Sequence, residues 1–194
     1  MDSPSKERGV ELSHLLNAPL QASADLLAFM SFGDPTKDAF FKSVDSALGG
    51  VLAECARGET FEGKSGQSIS VHTHGRIPAK RVMIVGGGAR WDFGNPNVRD
   101  VAALIAQNRA KWGVATIAFV LPSFGANREA GLVQMATEGV VLGTYKFGRY
   151  LTGDDHKRPS TLKSFGFITD VKGKKPTAAQ SRTFATAIAK GKTI

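Results

Sequence analysis

A single cysteine, Cys55, stands in the 194 residues, which excludes an intramolecular disulfide framework and any cysteine-cluster metal centre. The fold therefore needs no oxidising compartment. No stretch approaches the roughly 18 consecutive apolar residues of a membrane span. The N-terminal MDSPSKERGVELS is charged and lacks the apolar core of a signal peptide. The expectation is a cytoplasmic protein without membrane contact. Internal repeats and low-complexity tracts are absent, and 42% apolar residues fit one soluble globular domain with a substantial core.

What is present in excess is positive charge, 25 Lys plus Arg against 17 Asp plus Glu, a net +8. Residues 1–145 hold 14 of each sign, so the whole excess sits in residues 146–194, where 11 basic residues face Asp154, Asp155 and Asp170. The chain reads as a neutral body with a basic final section. Such asymmetry speaks about partners, and little about the fold of the body.

Apolar patterning predicts the elements. Leu26 to Phe32 is a continuous apolar run, read as a buried strand. Asp34-Pro35 is an N-cap with proline at the first helical position, and Phe40, Phe41, Val44, Ala47 and Leu48 form one helix face. Gly49-Gly50 ends that helix, with a short second one through Cys55. Ser68 to His74 alternates, as expected of a strand with one wet face. Arg81 to Val85 predicts a central strand leaving into a flexible loop at Gly86, Gly87 and Gly88. Asn95-Pro96 opens a helix carried to Trp112, and Ala115 to Leu121 is another buried strand, stopped by Pro122.

Arg128 to Phe147 is long enough for five helical turns yet contains Gly131, Gly139 and Gly143, each costing about 1 kcal/mol against alanine. That predicts close packing of its backbone on a sheet. Leu162 to Thr169 is the last strand, and after a Lys/Gly/Pro linker at 172–176 a helix begins near Thr177. Helices alternating with apolar strands define an α/β fold, a mixed, largely parallel sheet in three layers with helices on both faces. Residues 1–24 are set apart as a lead-in, 25–171 as the α/β domain, and 172–194 as linker and helix.

Sites of chemistry are scarce. Gly86-Gly87-Gly88 is the most site-like feature, because glycines after a strand let backbone N–H groups approach a phosphate. The loop itself carries neither a GxGxxG nor a GxxxxGK[ST] fingerprint, so it reads as a structural turn first and a ligand site second. His72 and His74 share one strand face. His14 and His156 are the only other histidines, and a metal needs three or four converging ligands, so a solvated face is expected. Cys55 fits a structural thiol. Ser123 lacks a GxSxG elbow, and Asp154-Asp155 reads as a solvated loop. Catalytic and metal-ligating residues are therefore not assigned. The basic section, with Tyr145, Phe147 and Tyr150 as its neighbouring aromatics, leaves phosphate-backbone binding to nucleic acid open as a lesser reading.

Phe61-Glu62-Gly63-Lys64-Ser65-Gly66, then RVMIVGGG at 81–88, then a helix with Val98-Arg99-Asp100-Val101-Ala102, together resemble the N-terminal domain of the M17 family of leucyl aminopeptidases. Glu138-Gly139, Leu142-Gly143, Tyr145, Phe147 and Tyr150 are similar to a glycine- and aromatic-bearing helix late in that domain. Order and spacing over roughly residues 25–194 carry the resemblance. It departs from the family at Gly86-Gly87-Gly88, where Gly-Leu-Gly is common, and at Leu151, where a basic residue commonly follows the tyrosine.

The resemblance implies a macro-domain-like fold followed by a linker helix and a larger catalytic domain. That second domain would hold two divalent metals, zinc or manganese, and release N-terminal amino acids from peptides. Its carboxylates and lysine, including the NTDAEGRL stretch, have no match here. The expectation is a non-catalytic domain with an assembly or access-shaping role in a hexamer, partnered by the catalytic domain. A stand-alone module binding a nucleotide or ADP-ribose through Gly86 to Gly88 is the alternative, resting on fold analogy.

Overall fold

The structure, a computed structural model, describes residues 10–90, 95–124, 128–144, 162–169 and 177–193. Six strands form one sheet: β1 (Glu11–His14), β2 (Leu26–Ser31), β3 (Ser68–His72), β4 (Arg81–Gly86), β5 (Thr116–Val120) and β6 (Ser164–Ile168). Their order is β1-β6-β5-β2-β4-β3, parallel throughout except for β3, which runs antiparallel to β4. The helices are α1 (Ala39–Ala47), α2 (Val51–Gly58), α3 (Asn95–Gln107), α4 (Arg109–Trp112), α5 (Glu129–Thr144) and α6 (Ala178–Gly191).

Side-chain alternation on the central strand divides the core into two. Leu27 and Phe29 of β2 face α1 and α2 and meet Phe41, Val44, Leu48 and Leu52. Leu26, Ala28 and Met30 face the opposite way and meet α3, α5 and α6 through Val98, Ile105, Val133, Val140 and Phe184. A strand buried on both faces needs apolar residues at every position, and all six residues of β2 are buried. The result is a three-layer α/β sandwich.

Local chemistry explains several boundaries. Asp34 caps a single 3-10 turn, Pro35–Lys37, its carboxylate accepting from the Thr36 N–H at 3.0 Å. The helix proper starts four residues later than the Asp34-Pro35 signal predicts, because Asp38 accepts from the N–H groups of Phe40 and Phe41 at 2.7 and 3.0 Å. Trp112 likewise falls outside α3, in the separate short α4. Thr177 and Gln180 form a reciprocal capping box at the start of α6.

The glycines of α5 correct a second expectation. A Cβ on Gly139 would stand 2.1 Å from the Arg99 carbonyl oxygen, and one on Gly143 2.6 Å from that of Ala103. Both carbonyls belong to α3. The close approach is helix to helix, and Gly131 meets nothing within 4 Å. Helix α5 lies between α3 and α6, and a Cβ on Gly191 of α6 would meet Thr137 of α5.

The first and last segments join the same body. Strand β1, inside the lead-in, pairs with β6 at the sheet edge, and Phe184, Ala187 and Ile188 of α6 belong to the core. The 172–176 linker, Tyr145, Phe147, Tyr150, Leu151, Asp154, Asp155 and His156 lie outside the described residues.

Candidate functional site

The connection leaving β2 runs through α1 and α2 towards β3 and β4, whereas the one leaving β5 runs through α5 towards β6. Adjacent parallel strands whose chains depart in opposite directions open a crevice at their carboxyl ends, the usual ligand position in such sheets. Here that crevice lies beyond Ser31 of β2 and Val120 of β5. The ring of Phe32 meets that of Phe124 edge to face, centroids 5.9 Å apart. The Arg90 guanidinium lies over both rings, at 5.3 and 5.0 Å from their centroids, and donates to the Ser123 carbonyl at 3.1 Å. Aromatic faces attract the guanidinium, so three side chains stack across the mouth of the crevice.

The Gly86 to Gly88 loop borders this cluster, and its backbone is committed to the protein. The N–H groups of Gly86, Gly87 and Gly88 donate to the carbonyls of Gln67, Ser31 and Gly63 at 2.9, 2.8 and 2.9 Å. A phosphate cradle needs N–H groups free to turn to a ligand, and these three are already paired. The loop is therefore tightly held where the sequence predicts a flexible one. Its glycines answer to space. A Cβ on Gly86 would come within 2.0 Å of the Lys64 carbonyl oxygen, and one on Gly87 within 2.4 Å of the Phe32 ring. Gly63, at φ +70°, approaches Gly33 just as closely. The 61–66 segment, Phe32-Gly33 and 86–88 thus form one knot of backbone at the carboxyl end of the sheet.

The remaining candidates are dispersed. Cys55 donates to the Glu59 carboxylate at 3.4 Å, and burial, followed by the hydrogen bond to and charge of Glu59, pushes its thiol pKa up, the opposite of an activated nucleophile. Ser123 is exposed, and no imidazole is bonded to it among the described residues. His72 and His74 lie at the far end of the sheet with ring centroids 6.0 Å apart. The Nε2 atom of His72 accepts from Arg81. Among the described residues no group of three or more His, Cys, Asp or Glu side chains is placed to hold a metal, so these residues do not fit a two-metal centre.

Three polar residues to which the sequence assigns no role are structural. Asp25 Oδ2 accepts from the N–H groups of Ala115 and Thr116 and the Thr116 hydroxyl, and Oδ1 accepts from Lys80 at 2.7 Å. Burial raises its pKa, but the Lys80 bond and then the donors on Ala115 and Thr116 outweigh it, bringing the value down to about 2. Arg109, buried at 6% exposure, donates to the carbonyls of Ala106 and Gly143 at 2.7 and 3.1 Å, at the C-terminal ends of α3 and α5. Those ends carry partial negative charge that suits a guanidinium, while desolvation pushes its pKa down. His14 bonds Thr169 at 3.0 Å and stacks on Phe184 of α6.

Arg90, Phe32 and Phe124 were also missed, because sequence order does not reveal that β2 and β5 are neighbours. The one available signal is that Phe32 and Phe124 each follow a buried strand closely.

Comparison with known proteins decides the family. The model of the cytosol aminopeptidase family, N-terminal domain, matches residues 28–154. The chain belongs to this family. The probable cytosol aminopeptidase of Geotalea uraniireducens is 28% identical over 148 residues, 76% of this chain and 30% of that protein. The chain thus spans about a third or less of the length of such relatives.

Among solved structures, a mutant of tomato leucine aminopeptidase superimposes with a TM-score of 0.77 at 23% identity, covering 95% of this chain and 36% of that one. The Trypanosoma brucei macrodomain in complex with ADP superimposes at 0.56 and 15% identity, covering 92% and 69%. Both establish the fold: this cytosol aminopeptidase N-terminal domain is macro-domain-like. Among the described residues no helix is long and apolar enough to cross a membrane.

Proposed function

We propose that this chain is the non-catalytic N-terminal domain of a cytosolic metal-dependent aminopeptidase that releases N-terminal amino acids from peptides. The family match over 28–154 carries this reading. Two divalent metals, zinc or manganese, and the residues that ligate them belong to a catalytic domain that is this domain's partner. The domain's role is architectural: it helps assemble a homo-oligomer, a hexamer, and shapes access to the active site.

Two features of the structure support a scaffold over a ligand-binding module. Phe32, Phe124 and Arg90 contact one another across the mouth of the switch-point crevice, and the N–H groups of Gly86 to Gly88 are paired internally. A nucleotide would have to displace both.

The test is joint. The purified chain, mixed or fused with the catalytic region of a curated relative, is expected to enter a hexamer by light scattering. A chain that remains separate from that region in both formats contradicts the assembly role. Calorimetric titration with ADP-ribose is expected to give no heat of binding. Saturable heat would favour the ligand-binding reading.

A further inference from the structure

We infer that His14 is an acid-sensitive clasp: neutral, it fastens strand β1 and helix α6 to the body of the domain, and protonated, it releases them. The two elements come from opposite ends of the chain and lie at one margin of the fold. Strand β1 is the edge strand of the sheet and pairs with β6 alone, while α6 packs on α5 and β1. Peripheral segments of this kind open locally before the body unfolds.

The imidazole stands where they meet. His14 closes β1, aligned with Phe167 of β6. Its ring stacks on that of Phe184 of α6, with centroids 4.3 Å apart and planes inclined by 27°. Its Nε2 shares a hydrogen bond of 3.0 Å with the hydroxyl of Thr169, a residue 8% exposed just beyond β6. One side chain thus joins the strand, the helix and the end of the sheet. The Nδ1 atom is buried and has no partner among the described residues. A neutral ring suits this arrangement by carrying its proton on Nε2, where the Thr169 hydroxyl accepts it, and leaving Nδ1 bare.

An imidazolium does not fit. Both nitrogens then carry hydrogen, and the Nδ1–H has no acceptor at a place closed to water, which is costly for a buried donor. Among the described residues no carboxylate pairs with the ring. The charged side chains on the elements packed here are Glu11 of β1, Lys163 ahead of β6, Arg182 and Lys190 of α6, and Lys192 just after it, all exposed; Asp170 lies outside the described residues. The face of Phe184 attracts a cation, but desolvation prevails and holds the His14 pKa below the ordinary 6.5. The opened form takes up a proton near that value and the closed form resists it. Proton uptake therefore drives opening as the pH falls.

The experiment is amide hydrogen exchange on the isotope-labelled 194-residue chain, read by nuclear magnetic resonance and corrected for the intrinsic pH dependence of exchange. From about pH 7 to about pH 5, protection of Phe184 to Ile188 in α6 and of Leu12 and Ser13 in β1 is expected to fall about tenfold, while β2 and β4 keep theirs. His14→Gln cannot titrate, and in that variant the fall is expected to vanish. A titration of the His14 ring carbons in the parent chain gives a second reading: the α6 amide shifts are expected to follow them with one midpoint, below pH 6.5. Protection in α6 that is equal at both pH values, a fall shared equally by β2, a fall that persists in His14→Gln, or separate midpoints would overturn the proposal.

Discussion

Asp25 joins three strands through one carboxylate. It stands just before β2, holds the Ala115-Thr116 entry to β5, and reaches Lys80 at the entry to β4. Its folded pKa of about 2 lies below the ordinary value of 3.8. A depressed acid contributes stability that is complete above its unfolded pKa and disappears as pH falls towards the folded one. Asp25→Asn should therefore cost roughly 1–2 kcal/mol at neutral pH, after allowing for solvent screening around exposed Lys80. The difference from the parent chain should close between about pH 4 and pH 2. Urea titrations of both chains across that range measure it, and a difference independent of pH would contradict the assignment.

His14 gives the complementary case. Desolvation lowers its pKa, and its Nδ1 has no partner among the described residues. The folded protein resists protonation that the unfolded chain accepts near pH 6.5, so this residue's share of stability is lost as pH falls below that value. His14→Gln keeps a polar side chain opposite Thr169 but cannot titrate. Its unfolding free energy should fall less steeply than the parent's from pH 7 to pH 5. Parallel curves for the two proteins would show that His14 is not the group responsible.

At the scale of elements, α5 offers a paired test within one helix. Gly131 has open space around a would-be Cβ, whereas Gly139 has the Arg99 carbonyl oxygen at 2.1 Å. Gly131→Ala should stabilise by up to about 1 kcal/mol through helix propensity. Gly139→Ala should destabilise by roughly 1–3 kcal/mol, because α3 must shift to admit the methyl group. Thermal denaturation of both variants reads the two signs. Two changes of the same sign would mean that α3 and α5 do not pack at this distance.

These glycines also mark what a sequence can disclose. Their number announces a close approach in α5, but the surface approached depends on which helices lie side by side, a non-local fact. The central strands are legible because burial on both faces leaves continuous apolar runs such as Leu26 to Phe32, and β3 because it alternates, whereas the edge strand β1 carries neither signal. The start of α1 is misjudged by four residues because two aspartates, Asp34 and Asp38, each cap a turn, and the proline favours the wrong one. The Phe32, Phe124 and Arg90 cluster is illegible for the same reason as the glycine contact: strand order brings it together. Gly86 to Gly88 is visible as a motif, while the pairing of its N–H groups, which decides its meaning, depends on Ser31, Gly63 and Gln67.

At the scale of the whole molecule, two observations point the same way. The fold is macro-domain-like, yet Phe32, Phe124 and Arg90 meet at its switch-point crevice and the N–H groups of Gly86 to Gly88 are bonded to Gln67, Ser31 and Gly63. The +8 charge resides in residues 146–194, and α6, which opens the last part of that section, lies against the core through Phe184 while Arg182, Lys190 and Lys192 stay exposed. The proposed role is that of a scaffold without peptide chemistry of its own.

The most direct measurement is leucine release from Leu-p-nitroanilide by the purified 194-residue chain in zinc- or manganese-containing buffer. The expected rate is that of buffer alone with either metal. Turnover that requires the metal and disappears with a chelator would contradict it.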